Sequence, residues 1–189
     1  GVDALTHAIE AYIVPDFHPL CDGAAIEALR LIGKYLVKSV EEPENLEARG
    51  GMLVGSCLAG ISFLKGLGFV HAISHMVGAE YDTQHGLTNA IVLPVVLRYN
   101  LPSLDKKRNH MADALGMSDK TSDGFIGEIE AKLDRLNIPK SLSEIGVPFE
   151  CVSRISEKAM LDSAASTNPV RGDVASVKEL VEKSIKKAR

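Results

Sequence analysis

The sequence predicts an all-α protein of about eight or nine helices. Apolar residues recur at three-to-four spacing through most of the 189 residues, and turn and capping residues separate these runs. No convincing run of alternating β-branched residues, which would indicate a strand, is present. With 46% hydrophobic residues the chain is able to bury a proper core. We therefore expect one helical domain over residues 1–189.

Three helices are predicted at the start of the chain. The first runs from about residue 2 to 13 and ends before Pro15. The second runs from about 21 to 40 and ends near Pro43, and the third covers about 45 to 63. Each has apolar residues on one face, as expected of helices that pack against a core.

A stripe of small residues marks the third helix. Gly51, Gly55 and Ala59 lie on one face, where they would let a neighbouring helix approach closely. Each interior glycine costs up to about 1 kcal/mol relative to alanine, so the stripe needs a packing reason. We expect this helix to be central and tightly buried.

Capping residues place the later helices. Gly78–Gln84 is predicted to break two apolar helices, Ser103, Ser122 and Asp173 stand at helix starts, and Pro148 suits a first turn. One short helix is predicted to begin near residue 70. The helices after it are predicted to cover about 86–99, 103–116, 122–136, 148–164 and 173 onward. The lysines and arginine of the last segment lie where a helix dipole favours cations.

The charge and cysteine content exclude several classes of protein. A net charge of -4, from 21 basic and 25 acidic residues, leaves no cationic face for nucleic acid or for an anionic membrane surface. No apolar stretch approaches the ~20 residues that cross a bilayer. Cys21, Cys57 and Cys151 are too far apart for a thiolate metal site and odd in number, so we expect reduced thiols in a cytoplasmic protein.

Histidines carry the strongest chemical signal. Asp3 and His7 are four residues apart, as are His71 and His75, and His85 follows. Residues four apart on a helix differ by about 40° in direction, so each pair projects from one face. Imidazole and carboxylate together suit Zn, Fe(II), Ni or Mn. Such pairs also arise by chance, and a buried histidine often bonds a backbone carbonyl instead. Spacing alone does not decide which three histidines would join Asp3.

Three stretches of sequence resemble one enzyme family. They are GVDALTHAIEAY (1–12), GLGFVHAISH (66–75) and YDTQHGLTNAIVLP (81–94). Their order and content are closely similar to the iron-containing (group III) alcohol dehydrogenases, and Thr-Asn-Pro at 167–169 is similar to that family's C-terminal signature. The resemblance covers essentially the whole chain. It implies the dehydroquinate synthase-like, helical C-terminal domain of such an enzyme.

The resemblance also implies roles for the histidines. Asp3, His7, His71 and His85 would be the protein ligands of one divalent ion, Fe²⁺ or in some members Zn²⁺. His75 would stand outside this set, near the nicotinamide and substrate, as a proton relay or as a purely structural hydrogen-bonding group. A cation held by three neutral imidazoles and one carboxylate keeps positive charge and polarises a substrate oxygen.

The resemblance implies partners that these residues do not supply. Neither G-x-G-x-x-G nor the family's Gly-Gly-Gly-Ser loop is present. We therefore expect the N-terminal α/β nucleotide-binding domain, which would bring NAD or NADP, to be absent from this chain, which starts at Gly1 rather than Met. The isolated domain would then be inactive. A small alcohol or aldehyde substrate and a homo-oligomer are expected.

Two other interpretations remain open at this point. One is a glycerol dehydrogenase-like or dehydroquinate synthase-like metalloenzyme domain, and the other is a non-catalytic metal-binding helical module. Single residues also carry expectations. Lys65 departs from the family's loop, which bears on the lining of the substrate pocket. Phe63 is expected to dock into the core, with a place in the pocket wall as the alternative, and His18 and His110 are expected to be exposed.

Overall fold

Nine α-helices and no strand make up the computed structural model, which describes residues 1–189. The all-α prediction is confirmed. The helices are Val2–Ile13 (α1), Pro19–Glu41 (α2), Leu46–Ser62 (α3), Phe69–Tyr81 (α4), His85–Asn100 (α5), Asp105–Leu115 (α6), Ser122–Arg135 (α7), Val152–Ala159 (α8) and Val174–Lys186 (α9). Short 3₁₀ turns cover Phe63–Lys65, Leu101–Ser103, Ser143–Ile145, Phe149–Cys151 and Ser163–Thr167.

The centre of the domain is α5 rather than α3. Every residue of α5 from Thr88 to Leu97 is buried, and α1, α4, α7 and α9 all pack against it. A helix covered on all sides shows no single apolar face, because every face meets protein. Helix α1 is nearly as enclosed, with ten of its twelve residues buried. These two helices and α4 form the scaffold that carries the predicted site.

The prediction that α3 is central and tightly buried is wrong. Only four of its residues are buried, and its opposite face exposes Leu53 and Val54 to solvent. The small-residue stripe does mark a close contact with α2, where a Cβ added to Gly55 would lie 3.1 Å from Ile32. A stripe of small residues thus records one close neighbour, and not how many sides of the helix are covered.

Two adjacent glycines of α3 give opposite predictions for stability. A Cβ on Gly51 would lie 2.2 Å from the Tyr35 ring, whose hydroxyl donates to Glu47 at 2.7 Å, whereas a Cβ on Gly50 meets nothing within 4 Å. We expect Gly51→Ala to destabilise the fold by about 1–3 kcal/mol through overpacking. The control Gly50→Ala should stabilise it by about 0.5–1 kcal/mol. Urea unfolding of both variants tests this, and equal effects would contradict the packing argument.

Several predicted boundaries differ from the observed ones. The predicted break over Gly78–Gln84 is too long, because α4 continues through Gly78 to Tyr81 and ends at Asp82, whose φ is +51°. The start of α6 is also wrong: it begins at Asp105 without a side-chain cap, so Ser103 does not cap it. Asp173 caps α9 as predicted, by accepting a hydrogen bond from Ser176 N at 2.8 Å.

The predicted helix over 148–164 is interrupted in the structure. It consists of a 3₁₀ turn, the eight-residue α8 and a second 3₁₀ turn that Asp162 caps through Ala164 N at 2.8 Å. The side chain of Asp162 competes with helical hydrogen bonding and turns the chain there. This turn directs the second oxygen of Asp162 towards α4.

The cysteines, His18 and His110 are placed as follows. Cys21, Cys57 and Cys151 are all free. His18 and His110 are exposed, and the His18 ring caps α2 by accepting from Cys21 N. No single helix is long and apolar enough to span a membrane; the residues of Leu46–Lys65 and Phe69–Tyr81, bent by 102°, meet those criteria only as a pair.

Candidate metal centre

Three helices bring the four predicted ligands together. Asp3 and His7 lie on α1, His71 lies on α4 and His85 is the first residue of α5. One ligand atom from each residue lies within 4.8 Å of all the others. Asp3 Oδ1 lies 3.5 Å from His85 Nε2 and 3.9 Å from His71 Nε2. The arrangement has the size of a single metal site before an ion draws the ligands inward.

The first turns of α1 orient His7. Its Nδ1 lies 2.9 Å from the backbone carbonyl of Asp3, four residues earlier. With the proton on Nδ1, the ring donates to that carbonyl and keeps a lone pair on Nε2. The His7 and His71 rings then lie with their centroids 4.4 Å apart. Helical spacing therefore sets both the position and the tautomer of this histidine.

Asn89 lies at the middle of the cluster. Its Nδ2 is 2.8 Å from Asp3 Oδ1 and 3.1 Å from both His71 Nε2 and His85 Nε2. An amide nitrogen carries two hydrogens, so it cannot satisfy three acceptors at once. The buried Oδ1 of Asn89 has no partner at all. The lone pairs of Asp3, His71 and His85 thus face one another with too few N–H donors to satisfy them, an arrangement that a divalent cation fits. Three imidazoles and one carboxylate are also a typical ligand set for such an ion.

Burial favours the neutral form of His7 and His85. Desolvation lowers the pKa of His7, and the neighbouring His71 lowers it further, against the opposing effect of Asp3. Burial likewise lowers the pKa of His85. Both rings are therefore uncharged near neutral pH, and neutral imidazole is the form that binds metal ions.

Glu10 is a site residue that the sequence analysis missed. Its carboxylate is buried on α1, and Oε2 lies 2.7 Å from His71 Nδ1. This contact turns His71 Nε2 towards Asp3. The signal in the sequence is an acidic residue among apolar neighbours in a helix that is otherwise apolar on the same side.

His75 lies beside the cluster and not within it. Its Nδ1 is 3.0 Å from Asp162 Oδ2, and its ring stacks on that of His85 with the centroids 5.5 Å apart. The side chain is 39% exposed, compared with 1% for His71. The two histidines of α4 therefore have different surroundings although they lie one turn apart.

One prediction about the neighbouring loop is wrong. Phe63 does not dock into the core; it is 40% exposed, and its ring centroid lies 5.1 Å from that of His7. Lys65 does not line this region, because its buried ammonium pairs with Asp22 and donates to the carbonyl of Tyr12. Lys65 thus binds groups near the end of α1, and the ring of Phe63 is the side chain of this loop that lies beside the cluster.

Comparison with known families decides where the chain belongs. The C-terminal model of the Fe-containing alcohol dehydrogenase family matches residues 1–185. The chain belongs to this family. It is 38% identical to a 1,3-propanediol dehydrogenase of Citrobacter freundii, over 95% of this chain and 48% of that protein. It is 35% identical to an NAD-dependent methanol dehydrogenase of Bacillus methanolicus, over 98% of this chain and 50% of that protein.

Solved structures of the family share this fold. The crystal structure of a 1,3-propanediol oxidoreductase superposes with a TM-score of 0.93 at 36% identity, covering 97% of this chain and 50% of that one. The chain spans about half the length of the relatives it matches. The helical domain is therefore a recurring half of these alcohol dehydrogenases.

Proposed function

We propose that this chain is the metal-binding, helical part of an NAD(P)-linked alcohol dehydrogenase. The observation that carries the proposal is the convergence of Asp3, His7, His71 and His85 within 4.8 Å in a member of this family. Fe²⁺ is the proposed ion, with Zn²⁺ as the alternative. The substrate class is a small alcohol or aldehyde, as the names of the relatives suggest.

We assign metal binding and proton transfer to different residues of the chain. Asp3, His7, His71 and His85 would hold the ion, which when bound polarises the alcohol or aldehyde oxygen during hydride transfer. Three of these ligands are neutral and one is anionic, so the site keeps a net positive charge. His75 would pass the proton of the substrate hydroxyl through its Nε2, while Asp162 holds the opposite nitrogen.

The nicotinamide cofactor would be held by a nucleotide-binding half. No strand occurs in residues 1–189, so these residues contain no doubly wound sheet of the kind that usually holds NAD or NADP. The relatives are twice as long, and one of them is named as NAD-dependent. The three free thiols support a cytoplasmic location for the enzyme.

The proposal is tested by metal content and turnover together. The protein with its nucleotide-binding half is loaded anaerobically with Fe²⁺ or Zn²⁺, and NADH or NADPH oxidation is followed with a series of short aldehydes. We expect one ion per chain and aldehyde-dependent oxidation, and no turnover from residues 1–189 alone. His110→Ala, at an exposed position outside the cluster, is the matched control. One bound ion without turnover would instead indicate a non-catalytic metal-binding module.

A further inference from the structure

Glu10 is a buried carboxylate that forms no ion pair with a lysine or an arginine. It lies one turn after His7 on α1 and is 1% exposed. Its only ion-pair partner within 4.0 Å is His71. A buried anion without a compensating charge is costly, so the surroundings of Glu10 have to supply that compensation.

The N-terminus of α4 supplies part of the compensation for the buried charge of Glu10. Glu10 Oε2 accepts from Gly68 N at 3.0 Å and His71 N at 3.3 Å, and Oε1 accepts from Val70 N at 2.8 Å. These N–H groups have no partner inside the helix, and the helix dipole favours a negative charge at this end. The carboxylate therefore acts as an N-terminal cap supplied by a different helix.

Capping does not account for the contact with the imidazole. The shortest hydrogen bond of Glu10 joins Oε2 to His71 Nδ1 at 2.7 Å, and it uses the oxygen that already accepts two backbone N–H groups. Asn168 caps the same helix end through Phe69 N at 3.1 Å and makes no hydrogen bond to His71. The third contact of Oε2 is thus specific to the ring that faces Asp3.

We propose that Glu10 is a positioning residue for the metal centre and balances its charge. By accepting a hydrogen bond from the Nδ1–H of His71, Glu10 fixes the tautomer that leaves the lone pair of His71 on Nε2, and it raises the basicity of that nitrogen. With a divalent ion, the ion and its four ligands keep one net positive charge, and Glu10, which stands behind the His71 ring and outside the ligand set, balances that charge. The inference rests on the proposed function, because it assigns Glu10 a role only in a metal-binding site.

The geometry also joins two helices into one unit. Asp3, His7 and Glu10 lie on a single turn-spaced face of α1, so two of the ligands and the group that orients a third are fixed to the same helix. The ring of His71 on α4 cannot rotate about its side chain without breaking the 2.7 Å contact. Binding an ion then requires little reorganisation of the protein.

The test compares two variants at the same helix end. Glu10→Gln keeps the shape of the side chain and removes its charge, whereas Asn168→Ala removes a cap from α4 that has no hydrogen bond to His71. The metal-free protein is titrated with Co²⁺ in competition with a chelator, and thermal unfolding of the metal-free forms is recorded beside it. We expect Glu10→Gln to weaken Co²⁺ binding about 10–100-fold. We expect Asn168→Ala to lower the melting temperature and to leave the affinity within twofold of the wild type.

Two results would overturn the inference. One is unchanged Co²⁺ affinity in Glu10→Gln, and the other is an equal loss of affinity in both variants at matched loss of stability. Nitrogen NMR of ¹⁵N-histidine-labelled wild type loaded with Zn²⁺ needs no variant, and it should show His71 ligated through Nε2 with a protonated Nδ1. Ligation through Nδ1 would also contradict it. A wild type that binds no Co²⁺ would instead reject the proposed function itself.

Discussion

Replacement of His71 or His85 by alanine is expected to abolish stoichiometric metal in the purified protein. Each variant removes one of four ligand atoms that lie within 4.8 Å of one another. The carboxylate and two imidazoles that remain would hold Fe²⁺ less tightly than the full set, so we expect the ion to be lost on desalting. The reduction of aldehydes should fall to background with the metal. Elemental analysis after desalting, together with aldehyde-dependent oxidation of NAD(P)H, measures both effects.

The same experiment distinguishes the ligands from their neighbours. His75→Ala should keep about one ion per chain, because its Nδ1 faces Asp162 and the side chain lies outside the cluster. His110→Ala, at an exposed position near Tyr12, should change neither metal content nor rate. Loss of metal in His75→Ala with retention in His85→Ala would reverse the ligand assignment.

The helices of this domain could be predicted from local signals, but their environments could not. Proline and capping residues placed α1, α7 and α9 within a few residues, because these signals act on the nearest backbone groups. The prediction that α3 is buried is wrong because its glycine stripe indicates one contact, with α2, and gives no information on the face that carries Leu53. The burial of α5 depends on helices that follow it and precede it in the chain.

The site shows the same division between local and distant information. Helical spacing placed Asp3 with His7 on one face, and it paired His71 with His75 equally well. Only the crossing of α4 with α1 and α5 separates the last two, since it turns one ring towards Asp3 and leaves the other at the rim. Family resemblance supplied that choice where periodicity could not.

The two carboxylates beside the histidines illustrate what sequence spacing misses. Glu10 bonds a ring 61 residues away, and Asp162 bonds one 87 residues away. Neither acid stands at a motif position relative to its histidine, so no pattern links them. Both pairs depend on tertiary packing: α4 begins against α1, and the interrupted helix after α8 turns back towards α4.

Loss of the proton relay is the second large expected effect. His75→Ala should retain metal and lower kcat by about 10²–10⁴, the range that a positioned acid–base group contributes. Asp162→Asn should give a smaller loss, because an amide keeps the shape of the side chain and its cap on Ala164 N but replaces the carboxylate oxygen that lies 3.0 Å from His75 Nδ1. Steady-state kinetics with matched metal content measure both variants.

Rescue separates a relay from a structural role. Added imidazole should restore part of the kcat of His75→Ala, because a free base can enter the space that the 39% exposed ring leaves and carry the proton. The same additive should not help Asp162→Asn, where the His75 ring still fills that space. If His75→Ala instead keeps its full rate and only unfolds at lower temperature, then His75 serves to hold Asp162 and the turn after α8 against α4, and the proton leaves by another route.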